Sequence, residues 1–82
     1  MNIADLEHLS KAKDRIAAGD EVSLGAAFDL LHMVSQSPRQ LTTLERKAVR
    51  EARDLVGLNE NIPNRLGLSL VRIIDAAMAR AS

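Results

Sequence analysis

The chain predicts an all-α, small four-helix bundle-like single domain, on three observations. Apolar residues recur at spacings of three, four and seven in four separate stretches. No stretch alternates apolar and polar residues with the two-residue period of a strand. Turn formers lie between or at the ends of the stretches: Gly19, Pro38, Gly57 and Pro63. One domain over 1–82 follows from the length, with short connections and mostly antiparallel neighbours. The residue identities show no internal repeat.

The first helix is expected over 3–18. Ile3, Leu6, Leu9, Ala12, Ile16 and Ala17 make a narrow apolar stripe, with Asn2 as N-cap and Gly19 at the end. Lys13 interrupts the stripe, which points to a peripheral helix. Ser23 should cap the second helix. There Leu24, Ala26, Ala27, Phe28, Leu30, Leu31, Met33 and Val34 cover most of the circumference. A helix apolar nearly all round is buried or covered by a partner, so this one predicts a homodimer face of Leu24, Ala27, Phe28, Leu31 and Val34.

Residues 35–41 read as a loop around Pro38. Thr42 and Glu45 then stand at the spacing of a capping box, in which two otherwise unpaired backbone donors are satisfied reciprocally. Leu44, Ala48, Val49, Ala52, Leu55 and Val56 form the apolar face of the third helix. Gly57 is the expected left-handed terminator, with Leu58 supplying an apolar contact. Pro63 fits the first turn of the last helix, where its missing N–H is tolerated. Leu66, Leu70, Val71, Ile73, Ile74, Ala77, Met78 and Ala81 share one arc, which makes this helix the central strut. Gly67 on the same arc allows a close helix–helix approach.

Composition excludes several functions. There is no Cys, so disulfides, thiolate metal sites and thiol nucleophiles are absent. Asp5 and Glu7 stand where a signal peptide needs positive charge, and no run approaches the roughly 20 apolar residues of a membrane span. A cytoplasmic protein of bacterial or phage type, without a membrane partner, is expected. Lys+Arg and Asp+Glu are both 11. That balance argues against generic polyanion binding. The charge is unevenly placed, with residues 1–37 at net −3 and 38–82 at net +3.

Chemistry-bearing groups are few. His8 and His32 lie on different helices, each three residues from an aspartate, and a zinc site needs three or four ligands. No phosphate-cradling glycine loop or nucleophile–base arrangement is present. Catalytic, cofactor and metal residues are therefore expected to be none. The third helix carries the more informative group: Arg46, Lys47, Arg50 and Arg53 lie opposite its apolar face, with Arg39 just upstream. Several sit in the first half of the helix, where the macrodipole favours acids. The pairs Lys47–Glu51 and Arg50–Asp54 run in the weaker order for helix support. These five residues form a candidate basic binding face for phosphate or an acidic protein surface.

One segment, Ile62-Pro63-Asn64-Arg65-Leu66-Gly67-Leu68-Ser69 followed by Ile73, resembles the helix–turn–helix core of bacterial regulators. The resemblance implies a turn at Gly67 and a DNA-reading helix after it. The sequence departs where Pro63 takes a small-residue position. It departs again at Ser69, Leu70, Val71 and Asp75, where sequence readers carry Arg, Lys, Asn or Gln. A continuous last helix is the preferred expectation. The expected function is a small non-catalytic helical interaction or regulatory module that binds another protein, as a homodimer. The alternative is a helix–turn–helix DNA-binding transcriptional regulator using residues 59–78, which leaves nucleic acid the less favoured partner.

Overall fold

A computed structural model describes residues 3–36 and 40–81, the side chains of 80 and 81 excepted. It contains four helices, α1 (Ile3–Ala17), α2 (Leu24–Ser35), α3 (Thr43–Gly57) and α4 (Asn64–Ala81). Among the described residues the only extended pairing is a single antiparallel bridge between Val22 and Ile62. The all-α, four-helix reading stands. The expected Asn2 cap, Pro38 and Arg39 lie outside the described residues.

Helix starts follow their caps. The Ser23 hydroxyl accepts from the Ala26 N–H at 3.4 Å. At α3 the capping box is complete: Thr42 N–H donates to Glu45 Oε1 at 2.8 Å, and Glu45 N–H to Thr42 Oγ1 at 3.2 Å. α4 begins one residue later than its proline suggests. The Pro63 carbonyl accepts from Leu66 and Gly67, so Pro63 occupies the position that Ser23 holds before α2.

Helix ends correct one expectation. α1 terminates as read, with Gly19 in the left-handed region at φ 86°. α3 does not terminate on Gly57, which remains helical; Asn59 takes the left-handed conformation at φ 58°. Asn is the non-glycine residue that tolerates that region best. Both ends then close with the same two bonds. Gly19 N–H reaches the Ile16 carbonyl and Asp20 N–H the Arg15 carbonyl. Asn59 reaches Val56 and Glu60 reaches Leu55, all four at 3.0 Å. Leu58 is 69% exposed, so the apolar burial expected of it at this end does not form.

These matching ends belong to a larger pattern, and it overturns the expectation of no repeat. Residue i in the first half corresponds to residue i+40 in the second. Nine buried positions match in pairs: Leu9/Val49, Ala12/Ala52, Ile16/Val56, Val22/Ile62, Ala27/Gly67, Leu30/Leu70, Leu31/Val71, Met33/Ile73 and Val34/Ile74. Val22 and Ile62 are partners in the bridge, each donating its N–H to the other's carbonyl, at 2.8 and 3.0 Å. α2 packs on α4, and each also packs on both outer helices, whereas α1 and α3 do not meet. The domain is thus two helix–loop–helix units related by a local two-fold. The repeat escapes residue identity because only Ala12/Ala52, Asp14/Asp54 and Leu30/Leu70 are the same over 3–35 and 43–75. What recurs is burial, since a core position specifies apolar size more than identity.

The two-fold makes α2 and α4 the inner helices. α4 is one unbroken helix through Gly67, and Leu70 and Ile74 are buried, as a continuous helix requires. The turn implied by the helix–turn–helix resemblance is absent. A Cβ at Gly67 would overlap Val22 Cγ2 and crowd Ile16 Cδ1 at 3.2 Å, so this glycine provides the expected close approach. Two apolar stripes reach less far than their periodicity suggests. On α1, burial runs from Leu9 to Ile16 while Ile3 and Leu6 are exposed, and on α3 Leu44 is 80% exposed. Those residues sit in the first turn of the outer helices.

Candidate functional site

Three of the five residues of the expected dimer face are enclosed within the chain. Ala27, Leu31 and Val34 are core residues, enclosed because α2 touches α1, α3 and α4. Leu24 is half-buried, and only Phe28, 57% exposed, faces out. Periodicity showed that α2 is surrounded by apolar contacts. It did not show that three helices of the same chain supply them.

The basic face fares differently. Arg46, Arg50 and Arg53 are exposed and stand along one row of α3 at i, i+4 and i+7. They form the wall of a groove of about 510 Å³ between the end of α2 and α3. Its apolar part comes from buried Val34 and Val49 and half-buried Leu41, and its remaining lining is Ser35 and Asp54. Lys47 is exposed but does not line the groove. Arg39 lies outside the described residues. The sequence revealed the arginines through helical spacing. It could not reveal Val34 and Leu41 as their neighbours, since that depends on how the halves pack.

Among the described residues no ion pair engages the charges of the groove. Among the described residues neither Lys47–Glu51 nor Arg50–Asp54 forms an ion pair; Glu51 instead meets Arg65 of α4 at 3.4 Å. Every other lateral seam is bridged. Lys13 meets Asp75 at 2.8 Å between α1 and α4, and His8 Nδ1 meets Asp29 Oδ2 at 3.4 Å between α1 and α2. Arg65–Glu51 spans α4 and α3. Among the described residues no such side-chain pair crosses the α2–α3 seam, and there the groove opens.

The local two-fold sharpens this. Residues equivalent to Ser35 and Arg53 are Asp75 and Lys13, the pair that bridges the corresponding α4–α1 seam. Residues equivalent to Arg46 and Arg50 are Leu6 and Ser10. The groove therefore exists where the second half gained guanidinium groups and the first half lacks the matching carboxylate.

Other chemistry is sparse. His8 contacts Asp29 across two helices, whereas the sequence paired it with Asp5 along one. Among the described residues no group of three or more His, Asp or Glu side chains is placed to hold a metal ion. No described helix is long and apolar enough to cross a membrane. A smaller cleft of about 180 Å³ between α3 and α4 is lined by Leu44, Glu45, Ala48, Ser69, Arg72 and Ile73.

By fold and surface the chain is a helical domain of two paired helix–loop–helix units carrying one arginine-walled groove. No family model, curated protein or solved structure matches it.

Proposed function

We propose that the chain is a non-catalytic helical module that binds another protein, and that the groove between α2 and α3 is its docking surface. The observation that carries this reading is the set of three arginines that form no ion pair among the described residues, beside an apolar floor of Val34, Leu41 and Val49. Helix exteriors normally carry charge. Here, however, like charges stand one turn apart on one row, which weakens an isolated helix slightly. A partner's carboxylates would offset that cost, and its apolar side chains would cover the floor. A self-association surface on α2 has little support, because most of the apolar side chains expected there are already in the core.

Nucleic acid fits less well. A phosphate backbone would leave the apolar floor uncovered, Asp54 would repel it, and the zero net charge supplies no long-range attraction. The helix–turn–helix alternative also lacks the break at Gly67 on which it depends.

A photo-crosslinking amino acid placed at Arg50, and separately at its counterpart Ser10, tests the reading in the producing cell. A protein adduct from position 50 that is absent from position 10 is the expected result. Adducts at both positions, at neither, or to nucleic acid would overturn it.

A further inference from the structure

We infer that the groove takes an amphipathic helix of the partner, with carboxylates along one edge and apolar side chains on the adjoining face. The inference rests on the α2–α3 groove being the docking surface and adds the chemistry of the occupant.

Charge complementarity supplies the first argument. Three guanidinium groups against one carboxylate make the lining positive, although the chain as a whole is neutral. Each guanidinium is a planar fork that matches a carboxylate in a bidentate fashion. The second argument is spacing. From Arg46 to Arg53 the row rises about 10 Å along α3, at 1.5 Å per residue. A helix laid alongside presents side chains at the same i, i+4, i+7 interval, so three carboxylates can face three arginines in one register.

The floor supplies the third. Val34, Leu41 and Val49 lie beside the row, so a ligand engaging both needs an apolar stripe next to its acidic edge. An amphipathic helix places the two side by side. Free phosphate or a wholly acidic tail satisfies only the arginines. Asp54, one position beyond Arg53, limits the register, because the ligand's acidic run has to stop before it.

The test uses the full chain, isotopically labelled, with a synthetic amphipathic helical peptide of about 15 residues, near the length at which isolated helices form. The peptide carries Glu at i, i+4 and i+7 and Leu on the adjoining face. Expected are chemical-shift changes centred on Val34, Leu41 and Val49, and a loss of affinity of roughly tenfold or more, about 1.4 kcal/mol, when Arg50→Glu is introduced. A peptide with Lys in place of Glu should bind the Arg46→Glu/Arg50→Glu/Arg53→Glu variant and not the parent. These side chains are exposed, and circular dichroism of each variant confirms that it folds.

Equal binding of a Gln-for-Glu peptide, equal binding of an all-Glu peptide without Leu, or tighter binding of inorganic phosphate or a short DNA duplex would each overturn the inference. So would no binding of the helical peptide. If the peptide fails while the Arg50 crosslink still yields a protein adduct, the occupant falls and the docking surface stands. If both fail, both fall.

Discussion

The two seams related by the local two-fold show how one architecture becomes two surfaces. Between α4 and α1, Asp75 and Lys13 are 2.8 Å apart and tie the helices together. Between α2 and α3, the equivalent residues are Ser35 and Arg53, and the Ser35 hydroxyl donates instead to the His32 carbonyl of its own helix at 2.6 Å. The core beneath both seams is the same set of matched buried positions. Core packing thus fixes where the helices lie, and a few exposed substitutions decide which seam is tied and which is open to a ligand.

If the halves are equivalent in energy as well as burial, matched core truncations should cost alike. Leu30 and Leu70 are both at 0% exposure. Leu30→Ala and Leu70→Ala should each lose about 2–5 kcal/mol. A domain this small has about 5 kcal/mol in total, so both variants should be close to unfolding. Urea denaturation reads the losses. A near-silent Leu70→Ala beside a severe Leu30→Ala would break the equivalence and place α4 outside the shared core.

The next contrast is Ala27 against Gly67. Substituting Gly67→Ala adds a methyl that overlaps Val22, a β-branched side chain fixed in the bridge. Overpacking costs about 1–3 kcal/mol, against about 1 kcal/mol regained in helix propensity. The expected net is a loss of about 0–2 kcal/mol in the same denaturation experiment. A stabilised variant would mean that Val22 moves aside freely.

Much of this was legible in the residues. Thr42 and Glu45, Ser23 and Gly19 marked boundaries because each acts on its own neighbours in sequence. The arginine row was legible because helical spacing places it on one face. The repeat was not, because Leu9/Val49 or Met33/Ile73 conserve burial without identity. Gly57 was misleading since glycine is the usual left-handed terminator, yet Asn59 two residues later serves. The covering of α2 was not legible for another reason: an apolar circumference does not say whether the covering helices belong to the same chain.

Asn64 is where the halves are stitched asymmetrically. Its Nδ2 donates to the carbonyls of Ile16 and Asp20, both at 2.9 Å, while its counterpart Leu24 has no such group. Asn64→Ala should cost about 1 kcal/mol, the net worth of a typical hydrogen bond, with the Ile16 carbonyl contributing most because it is part-buried. The change should appear as a shift in denaturation midpoint with an unchanged slope. No shift would show that water replaces the amide at both carbonyls.

The smallest effect on stability carries the most information about function. Asp75→Ser removes the Lys13–Asp75 bridge, whose side chains are 43% and 47% exposed, so the loss should stay below about 1 kcal/mol. It should not create a second docking surface, because Leu6 and Ser10 stand where the groove has Arg46 and Arg50. The reciprocal change, Ser35→Asp, supplies the missing carboxylate beside Arg53. An acid in the last turn of α2 opposes the helix dipole by about 0.3–1 kcal/mol. The gained pair offsets part of that, so stability should change by under about 1 kcal/mol. Binding should respond far more. The new carboxylate occupies Arg53 and repels the acidic edge of the ligand, and the affinity for the Glu-bearing peptide should fall roughly tenfold, about 1.4 kcal/mol. Isothermal titration of the two variants beside the parent makes the comparison. If Ser35→Asp leaves affinity unchanged while Arg50→Glu abolishes it, Arg53 takes no part in recognition, and the groove differs from its tied counterpart at Arg46 and Arg50 alone.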